Sequence, residues 1–268
     1  VGLNLLSNSK SYDWKSTADG AYNWKTDKFV VFDGSTWVTA SVKAVRYYMD
    51  PRNFLDERGI FQFESLKYRS DVQTQTGVEN VLRNTPMYNT NFTYTNNAGK
   101  NVSIKYAKAF MEAAAASKVS PYHLASRVKQ EVVISSTMMS SSVSGNVAGY
   151  KGIYNFYNIG ANSGANAVKN GLKWASTGTD YSRPWNNRYR SIYGGACYIG
   201  KQYINVGQNT LYLQKFNVTA TKRYDHQYMA NIEAPNNEAT KTANAYGSDK
   251  DNTPIVFSIP VYNNMPVS

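Results

Sequence analysis

Glu131 is the residue of this sequence whose position most clearly indicates chemistry. It lies in YHLASRVKQEVV (residues 122–133), where helical spacing puts it on the same face as Leu124 and Val128. A Ser- and Gly-rich stretch follows, and such loops often border clefts. A carboxyl group beside apolar side chains can stay protonated near neutral pH, as a general acid must, and glycoside hydrolases use such an acid. The competing interpretation is a solvated glutamate paired with Arg127, four residues earlier.

The segment GYKGIYNFYNIGA (residues 149–161) supplies side chains that suit a sugar ligand. Tyrosine and phenylalanine rings can stack on the C–H faces of sugars, and asparagine amides both donate and accept hydrogen bonds. The candidate ligand-binding residues are Tyr150, Tyr154, Asn155, Phe156, Tyr157 and Asn158. The alternative, an aromatic hairpin packed into the core, is equally compatible with these residues.

A cysteine peptidase with Cys197 as nucleophile and His226 as base is the enzymatic rival. Cys197 is the single cysteine, and it falls on a helical stripe with Ile192, Ala196 and Ile199, which is typical of a small buried residue. One cysteine excludes an intrachain disulfide, and together with two histidines it argues against a structural zinc site. We therefore expect no metal and no other cofactor.

Local signals indicate the helices that must position these residues. Ser120 and Pro121 predict the start of the helix that carries Glu131. An earlier helix is predicted from about Val102, because four residues recur at helical spacing: Tyr106, Ala109, Phe110 and Ala113. Further helices are predicted around 164–175 and 186–205.

Other segments complete the predicted organisation. We expect a hairpin over residues 28–39 with its turn at Asp33-Gly34, and a short helix capped by Asp50 with Pro51 in its first turn. A polar, Asn-rich linker over 235–253 should lead to a closing strand over 255–262. With no repeat, the chain is interpreted as an N-terminal extension (1–44) packed on one structural unit (45–268).

The charge of the chain indicates an anionic partner. The 268 residues carry a net charge of +11, yet Lys and Arg are scattered singly, so a nucleic-acid-binding tail is not expected. Anionic cell-wall polymers such as teichoic acids, the carboxylates of peptidoglycan stem peptides, nucleic acid and anionic lipid all fit this charge. No apolar run approaches the roughly 20 residues of a membrane span.

Long blocks of the sequence resemble the glucosaminidases of glycoside hydrolase family 73, in particular the autolysins of clostridia and related Gram-positive bacteria. The blocks are YYMDPRNFL (47–55), HLASRVKQE (123–131), GIYNFYNIGA (152–161), PWNNRYRSIYGGACYIGKQYINVGQNTLYLQKFNV (184–218) and HQYMANIEAP (226–235). The resemblance implies an α+β, lysozyme-like fold, with a mainly helical lobe, a smaller β/loop lobe and a substrate cleft between them.

The resemblance also implies hydrolysis of the β-1,4 bond between N-acetylglucosamine and N-acetylmuramic acid in peptidoglycan. Glu131 would be the general acid, and the expected substrate contacts are Gln130, Tyr150, Tyr154, Asn155, Phe156, Asn158 and His226. We expect a secreted, wall-associated monomer from a Gram-positive organism. The alternative from another class is a non-catalytic wall-binding module, against which the carboxylate at position 131 argues.

The sequence departs from part of that family in one respect. Some members are thought to use a second carboxylate a few dozen residues after the first, but positions 132–179 contain no Asp or Glu. Two mechanisms remain open. The substrate's own 2-acetamido group attacks the anomeric carbon, or a distant carboxylate such as Asp180 or Asp225 positions a water.

Overall fold

A computed structural model describes residues 3–33, 36–161, 166–219 and 223–265 of the chain. The helices within these ranges are α1 (Val42–Met49), α2 (Gln75–Leu82), α3 (Tyr106–Ser117), α4 (Pro121–Val132), α5 (Ala167–Ser176), α6 (Arg188–Gln202), α7 (Leu211–Phe216) and α8 (Ala234–Tyr246). The strands are short: β1 (Leu5–Ser7), β2 (Tyr22–Asn23), β3 (Lys28–Phe29), β4 (Val31–Asp33), β5 (Trp37–Thr39), β6 (Asn91–Thr95) and β7 (Asn101–Lys105).

The chain forms two compact units, each assembled from separated stretches of sequence. The first unit comprises Val1–Glu64, Gln208–Lys241 and Val256–Ser268. The second unit comprises Ser65–Gly207 and Thr242–Ile255.

The first unit is built on a small antiparallel sheet in the order β1-β5-β4. Leu6 on β1 pairs with Val38 on β5, and both are buried with Ala44 and Ile232. Ile232 arrives from the distant 208–241 stretch and donates its main-chain N–H to Leu5 O at 2.9 Å. A second apolar cluster is formed by Phe54, Phe63, Tyr212 and Phe216.

The second unit is mainly helical, with α3 packed along α6 and against α2 and α4. Close approach of these helices depends on small residues. A Cβ at Gly200 on α6 would lie 2.7 Å from the main-chain oxygen of Ser117 at the end of α3, so a larger residue would push the helices apart. α3 is itself rich in alanine, and Ala109, Ala113 and Ala114 are buried.

Several predicted elements are confirmed. The Ser120 hydroxyl accepts a hydrogen bond from the N–H of His123, and Pro121 opens α4 as its sequence predicts. Asp50 caps a 3₁₀-helix over Pro51–Phe54. The helices predicted around 164–175 and 186–205 correspond to α5 and α6. β4 and β5 form the predicted pair, although turn residue Gly34 lies outside the described residues.

Three predictions of secondary structure were wrong. Residues 101–105 are not the start of a helix but the strand β7, paired with β6. The Asn-rich stretch 235–253 is not a linker: α8 occupies most of it and buries Ala239, Ala243 and Tyr246 on one face. The final segment forms no regular strand, only an isolated bridge between Glu64 and Phe257.

The predicted boundary between an extension (1–44) and a single unit (45–268) also does not match the structure. The boundary falls inside α1, whose cap is the Ser41 side chain. Residues 1–44 share a core with the 208–241 stretch, so they are an integral part of the first unit.

Among the described residues, no helix combines the length and apolar character that crossing a bilayer requires.

Lys215 is a fully buried cation within the first unit. Its Nζ donates hydrogen bonds to the main-chain oxygens of Leu3 (2.9 Å) and Ala230 (3.1 Å), so it joins the N-terminal stretch to the 208–241 stretch. Burial lowers the pKa of this ammonium to about 8 from an ordinary value of 10.5.

The lowered pKa of Lys215 predicts a pH-dependent stability. Between pH 8 and 10.5 the unfolded chain binds more protons at this site than the folded chain, so stability rises with pH across that window. We compare the melting temperatures of the unaltered protein and of Lys215→Met. The melting temperature of the unaltered protein minus that of the variant should increase as the pH is raised from 7.5 to 10. A difference that stays flat or shrinks contradicts this account. Because both proteins share every other titratable group, the difference isolates Lys215.

Candidate active site

α4 is the element that carries Glu131, and its first turns are fixed by burial. Tyr122, Leu124, Ala125 and Val128 are all at most 1% exposed. The Tyr122 hydroxyl accepts a hydrogen bond from the main-chain N–H of Thr74 at 2.9 Å, just before α2. Burial lowers the pKa of His123 to about 3, which keeps its imidazole neutral inside the unit.

Lys129 anchors the last turn of α4 from the side. Its ammonium donates to three main-chain oxygens, those of Val81 (2.9 Å), Arg83 (3.1 Å) and Ala245 (2.6 Å). These oxygens lie at the ends of α2 and α8, where carbonyls have no partner within their own helix. A lysine carries three donors, which this arrangement occupies. The turn that bears Glu131 is thereby attached to two other helices.

Glu131 lies in the last turn of α4. Two hydrogen-bond donors contact its carboxylate. Arg127 Nη2 donates to Oε1 at 3.0 Å, and the Asn158 amide reaches Oε2 at 3.3 Å. The side chains of Glu131 and Arg127 are each 29% exposed. The predicted placement of Glu131 among apolar walls is therefore wrong, and the pairing with Arg127 is confirmed. The carboxylate is oriented by polar donors and remains open to a ligand.

Asn158 links the aromatic segment to α4. Its Nδ2 also donates to the main-chain oxygen of Glu131 at 2.9 Å, so a single amide contacts both the backbone and the carboxylate of the same residue. Asn158 has a left-handed backbone (φ 49°), a conformation that asparagine tolerates better than most residues. The segment 149–161 therefore lies against Glu131 at this residue.

Asn155 and Phe156 do not line a surface, contrary to the predicted substrate contacts. Phe156 is fully buried, and its main-chain N–H donates to the Ser191 hydroxyl at 3.1 Å. Asn155 is 1% exposed, and its Nδ2 donates to the main-chain oxygens of Ile159 (2.8 Å) and Gly171 (3.0 Å). Both are therefore corrected to residues that hold the turn in place, because their polar and apolar atoms are already occupied inside the unit.

Tyr154, Tyr150 and Gln130 are partly exposed. The Arg188 guanidinium lies 5.0 Å from the centre of the Tyr154 ring, a cation–π contact, and the hydroxyl of Tyr154 lies close to Gly145. Gln130 Nε2 donates to the Ser126 hydroxyl at 3.0 Å. Nothing in the sequence pattern indicated the contact between Arg188 and Tyr154.

His226 belongs to the first unit, whereas Glu131 belongs to the second. It is exposed, and its Nδ1 lies 2.7 Å from Gln208 Oε1. Because Gln208 Nε2 donates to the main-chain oxygen of His226 at 2.9 Å, Oε1 is the acceptor and Nδ1 carries the hydrogen. His226 lines a pocket of about 240 Å³ with Leu3, Tyr224, Asp225, Gln227, Met229 and Ala230.

Cys197 has the environment of a packing residue. It lies on α6, partly buried, and burial raises the pKa of its thiol. A nucleophilic cysteine needs the opposite shift, produced by a neighbouring positive charge. The peptidase alternative is therefore disfavoured by the electrostatics of the thiol.

Asp180 and Asp225 are both exposed. Asp180 lies in the 3₁₀ turn Asp180–Ser182 of the second unit, and Asp225 lies in the first unit. In the described part of the chain, no group of three or more His, Cys, Asp or Glu side chains is arranged to hold a metal ion.

Relatives of the chain are bacterial proteins named as a glucosaminidase and as autolysins, although no family model matches the chain. The Beta-N-acetylglucosaminidase of Bacillus subtilis (strain 168) is 29% identical over 230 residues, which cover 84% of this chain and 23% of the relative. A Bifunctional autolysin of Staphylococcus epidermidis is 32% identical over 109 residues, covering 41% of this chain and 8% of the relative. The chain thus spans about a quarter or less of the length of these relatives.

Solved structures show the same likeness in three dimensions. S. aureus glucosaminidase B aligns with a TM-score of 0.57 and 25% identity, covering 84% of this chain and 77% of that one. A catalytic glutamate-to-alanine mutant of S. aureus Autolysin E, in complex with the disaccharide NAG-NAM, aligns with a TM-score of 0.51 and 18% identity, covering 87% and 89%. The predicted α+β, lysozyme-like fold class is confirmed, and so is the resemblance inferred from the motifs: in sequence and fold the chain is similar to bacterial glucosaminidases and autolysins.

Proposed function

We propose that this chain is an endo-β-N-acetylglucosaminidase that cleaves the β-1,4 bond between N-acetylglucosamine and N-acetylmuramic acid in peptidoglycan. The observation that carries the proposal is the carboxylate of Glu131, partly exposed at the end of α4 and held between Arg127 and Asn158. Support comes from a relative named Beta-N-acetylglucosaminidase and from a similar fold whose catalytic mutant binds NAG-NAM.

In the proposed reaction Glu131 is the general acid. In its protonated form it delivers a proton to the glycosidic oxygen as the bond to the anomeric carbon breaks, and it is left as the carboxylate. Arg127 and Asn158 fix the direction of the carboxylate before the substrate arrives, which reduces the reorganisation needed during reaction. Gln130, Tyr150 and Tyr154 are assigned to substrate contact because they are partly exposed, and His226 is assigned to the same role on the first unit.

The second half of the reaction is assigned to the substrate. Positions 132–179 carry no Asp or Glu, so in the proposal the 2-acetamido oxygen attacks the anomeric carbon and forms a cyclic intermediate. Water then opens this intermediate and gives its proton to the Glu131 carboxylate, which restores the acid. Two displacements at the same carbon return the original β configuration.

The proposed setting is the outside of a Gram-positive cell, where a secreted monomer acts on the wall. The net charge of +11 supports this because peptidoglycan and its associated polymers are anionic.

Replacing the acid tests the proposal directly. Glu131→Gln keeps the shape of the side chain and one acceptor oxygen but has no proton to deliver, so hydrolysis of purified peptidoglycan should fall by about 10²–10⁴-fold. Turbidity loss of a wall suspension measures the rate, and thermal unfolding checks the fold.

The matched control for that variant is Glu112→Gln. Glu112 is also a partly exposed helical glutamate of the second unit, with Lys108 four residues before it at 3.8 Å. It should retain activity. More than a tenth of the original rate in Glu131→Gln removes Glu131 from the role.

The products of digestion identify the bond and the mechanism together. Mass spectrometry after borohydride reduction should find N-acetylglucosamine at every new reducing end. Proton NMR in the first minutes should find the β anomer in excess, because two displacements preserve configuration.

Different products point elsewhere. N-acetylmuramic acid at the reducing ends indicates a muramidase, and new free amines indicate a peptidase. An initial α anomer, with N-acetylglucosamine still at the ends, rejects substrate assistance while leaving the bond assignment intact.

Asn158→Gly removes the side-chain amide while allowing the left-handed backbone conformation at this position. Glycine adopts the left-handed conformation freely, so unfolding free energy should change by about 1 kcal/mol or less. Loss of the amide should lower kcat by about tenfold to hundredfold, since the carboxylate loses one of its orienting donors.

Asn84→Gly provides the comparison. Asn84 has the same left-handed backbone (φ 61°) in the same unit and is exposed at the end of α2. The Asn84→Gly variant should have the same stability as Asn158→Gly. Its kcat should equal that of the unaltered protein. Equal kcat values for the two variants contradict an orienting role for Asn158.

A further inference from the structure

The β2–β3 hairpin of the first unit carries a group of aromatic rings that the proposed chemistry does not use. Four rings form this group, here called the aromatic hairpin surface: Tyr12, Tyr22, Trp24 and Phe29. Ring centres are 4.8 Å apart for Tyr22 and Trp24, 4.8 Å for Tyr22 and Phe29, and 5.4 Å for Tyr12 and Phe29.

Two of these rings are exposed to solvent, and they pack on rings that are more deeply buried. Trp24 is 66% exposed and Tyr12 is 55% exposed, whereas Tyr22 between them is 7% exposed. The Tyr22 hydroxyl donates to the Asp27 carboxylate, and Asn23 Oδ1 accepts from the main-chain N–H of Lys25 (3.0 Å). These bonds hold the turn that carries Trp24, and the Trp24 ring lies edge-on against the buried Tyr22.

The polar groups around the rings are mainly donors. Lys25 and Lys28 are exposed on the same hairpin, and Lys15 Nζ lies 4.3 Å from the centre of the Phe29 ring. The single acid of residues 22–29, Asp27, already accepts from Tyr22. Exposed ring faces flanked by lysines complement a ligand with C–H faces and carboxylates.

We propose that the aromatic hairpin surface is a second glycan-binding site, which holds a strand of peptidoglycan by stacking of sugar rings on Trp24 and Tyr12. Lys25 and Lys28 would meet the carboxylates of the stem peptides. This inference rests on the proposed function, since it takes the polymer from the proposed substrate. The proposed reaction uses none of these four rings, so the surface is assigned to binding of the polymer and not to bond cleavage.

Binding is measured in the Glu131→Gln background, so that hydrolysis does not consume the ligand. Purified insoluble peptidoglycan is titrated with protein, and the unbound fraction is quantified after sedimentation. Trp24→Ala should raise the apparent Kd about tenfold and Tyr12→Ala by less, because each removes one stacking face. Trp24→Tyr, which keeps an aromatic face, should restore most of the affinity.

Tyr228→Ala is the matched control. Tyr228 belongs to the same unit, is 53% exposed and lies outside the aromatic hairpin surface, so its removal should leave the Kd unchanged. Melting temperatures of all variants should agree within a few degrees, since the altered side chains are mainly exposed.

Several outcomes overturn the inference. These are an unchanged Kd in the Trp24→Ala/Tyr12→Ala double variant, an equal loss in Tyr228→Ala, and failure of Trp24→Tyr to restore binding. If the double variant loses binding to anionic phospholipid vesicles but not to peptidoglycan, the surface binds a membrane. If it loses self-association in size-exclusion chromatography, the surface binds a second copy of the chain. The proposed function fails separately, if the chain with Glu131 intact hydrolyses no wall.

Discussion

One side-chain amide, that of Asn158, connects the end of α4 to the aromatic segment. It donates to the main-chain oxygen of Glu131 at 2.9 Å and reaches the carboxylate at 3.3 Å. The first bond fixes the position of the residue and the second fixes the direction of its side chain. A shift of the segment would break both together, so the geometry of the candidate acid depends on the packing of a turn 27 residues away.

The turn can serve this purpose because its interior is rigid. Asn155 bonds to Ile159 and Gly171, and Phe156 is enclosed and tied through its N–H to Ser191. α4 is held as firmly from its other side, where Lys129 occupies three carbonyls at the ends of two helices. Buried polar groups with all their bonds satisfied specify one arrangement, whereas an apolar contact of the same size would allow several. The candidate acid is thus preorganised by residues that never meet the substrate.

The sequence predicts those parts of this arrangement that depend on neighbours along the chain. Ser120 and Pro121 mark the start of α4, and the spacing of four residues pairs Arg127 with Glu131. The roles of Asn155 and Phe156 depend instead on Gly171 and Ser191, and no local pattern distinguishes a buried Asn-Phe pair from an exposed one. α8 was missed for a related reason: its buried face uses small Ala239 and Ala243, whose helical period is hidden among asparagines. The two-unit organisation was equally inaccessible, because the first unit is assembled from three separated stretches.

The partial exposure of Glu131 follows from the size of the proposed substrate. An enzyme for a small molecule can enclose its catalytic acid. A glycan strand must lie across an open surface, so the acid remains accessible to solvent until the strand binds. Donors at fixed positions set the direction of the carboxylate, and the bound strand itself excludes water. An open site holds its polymer weakly, and a second contact on the same molecule raises the local concentration of substrate without altering the chemistry. The exposed rings of Tyr12 and Trp24 are proposed to provide such a contact, and neither residue is one of the donors that orient the carboxylate, Arg127 and Asn158.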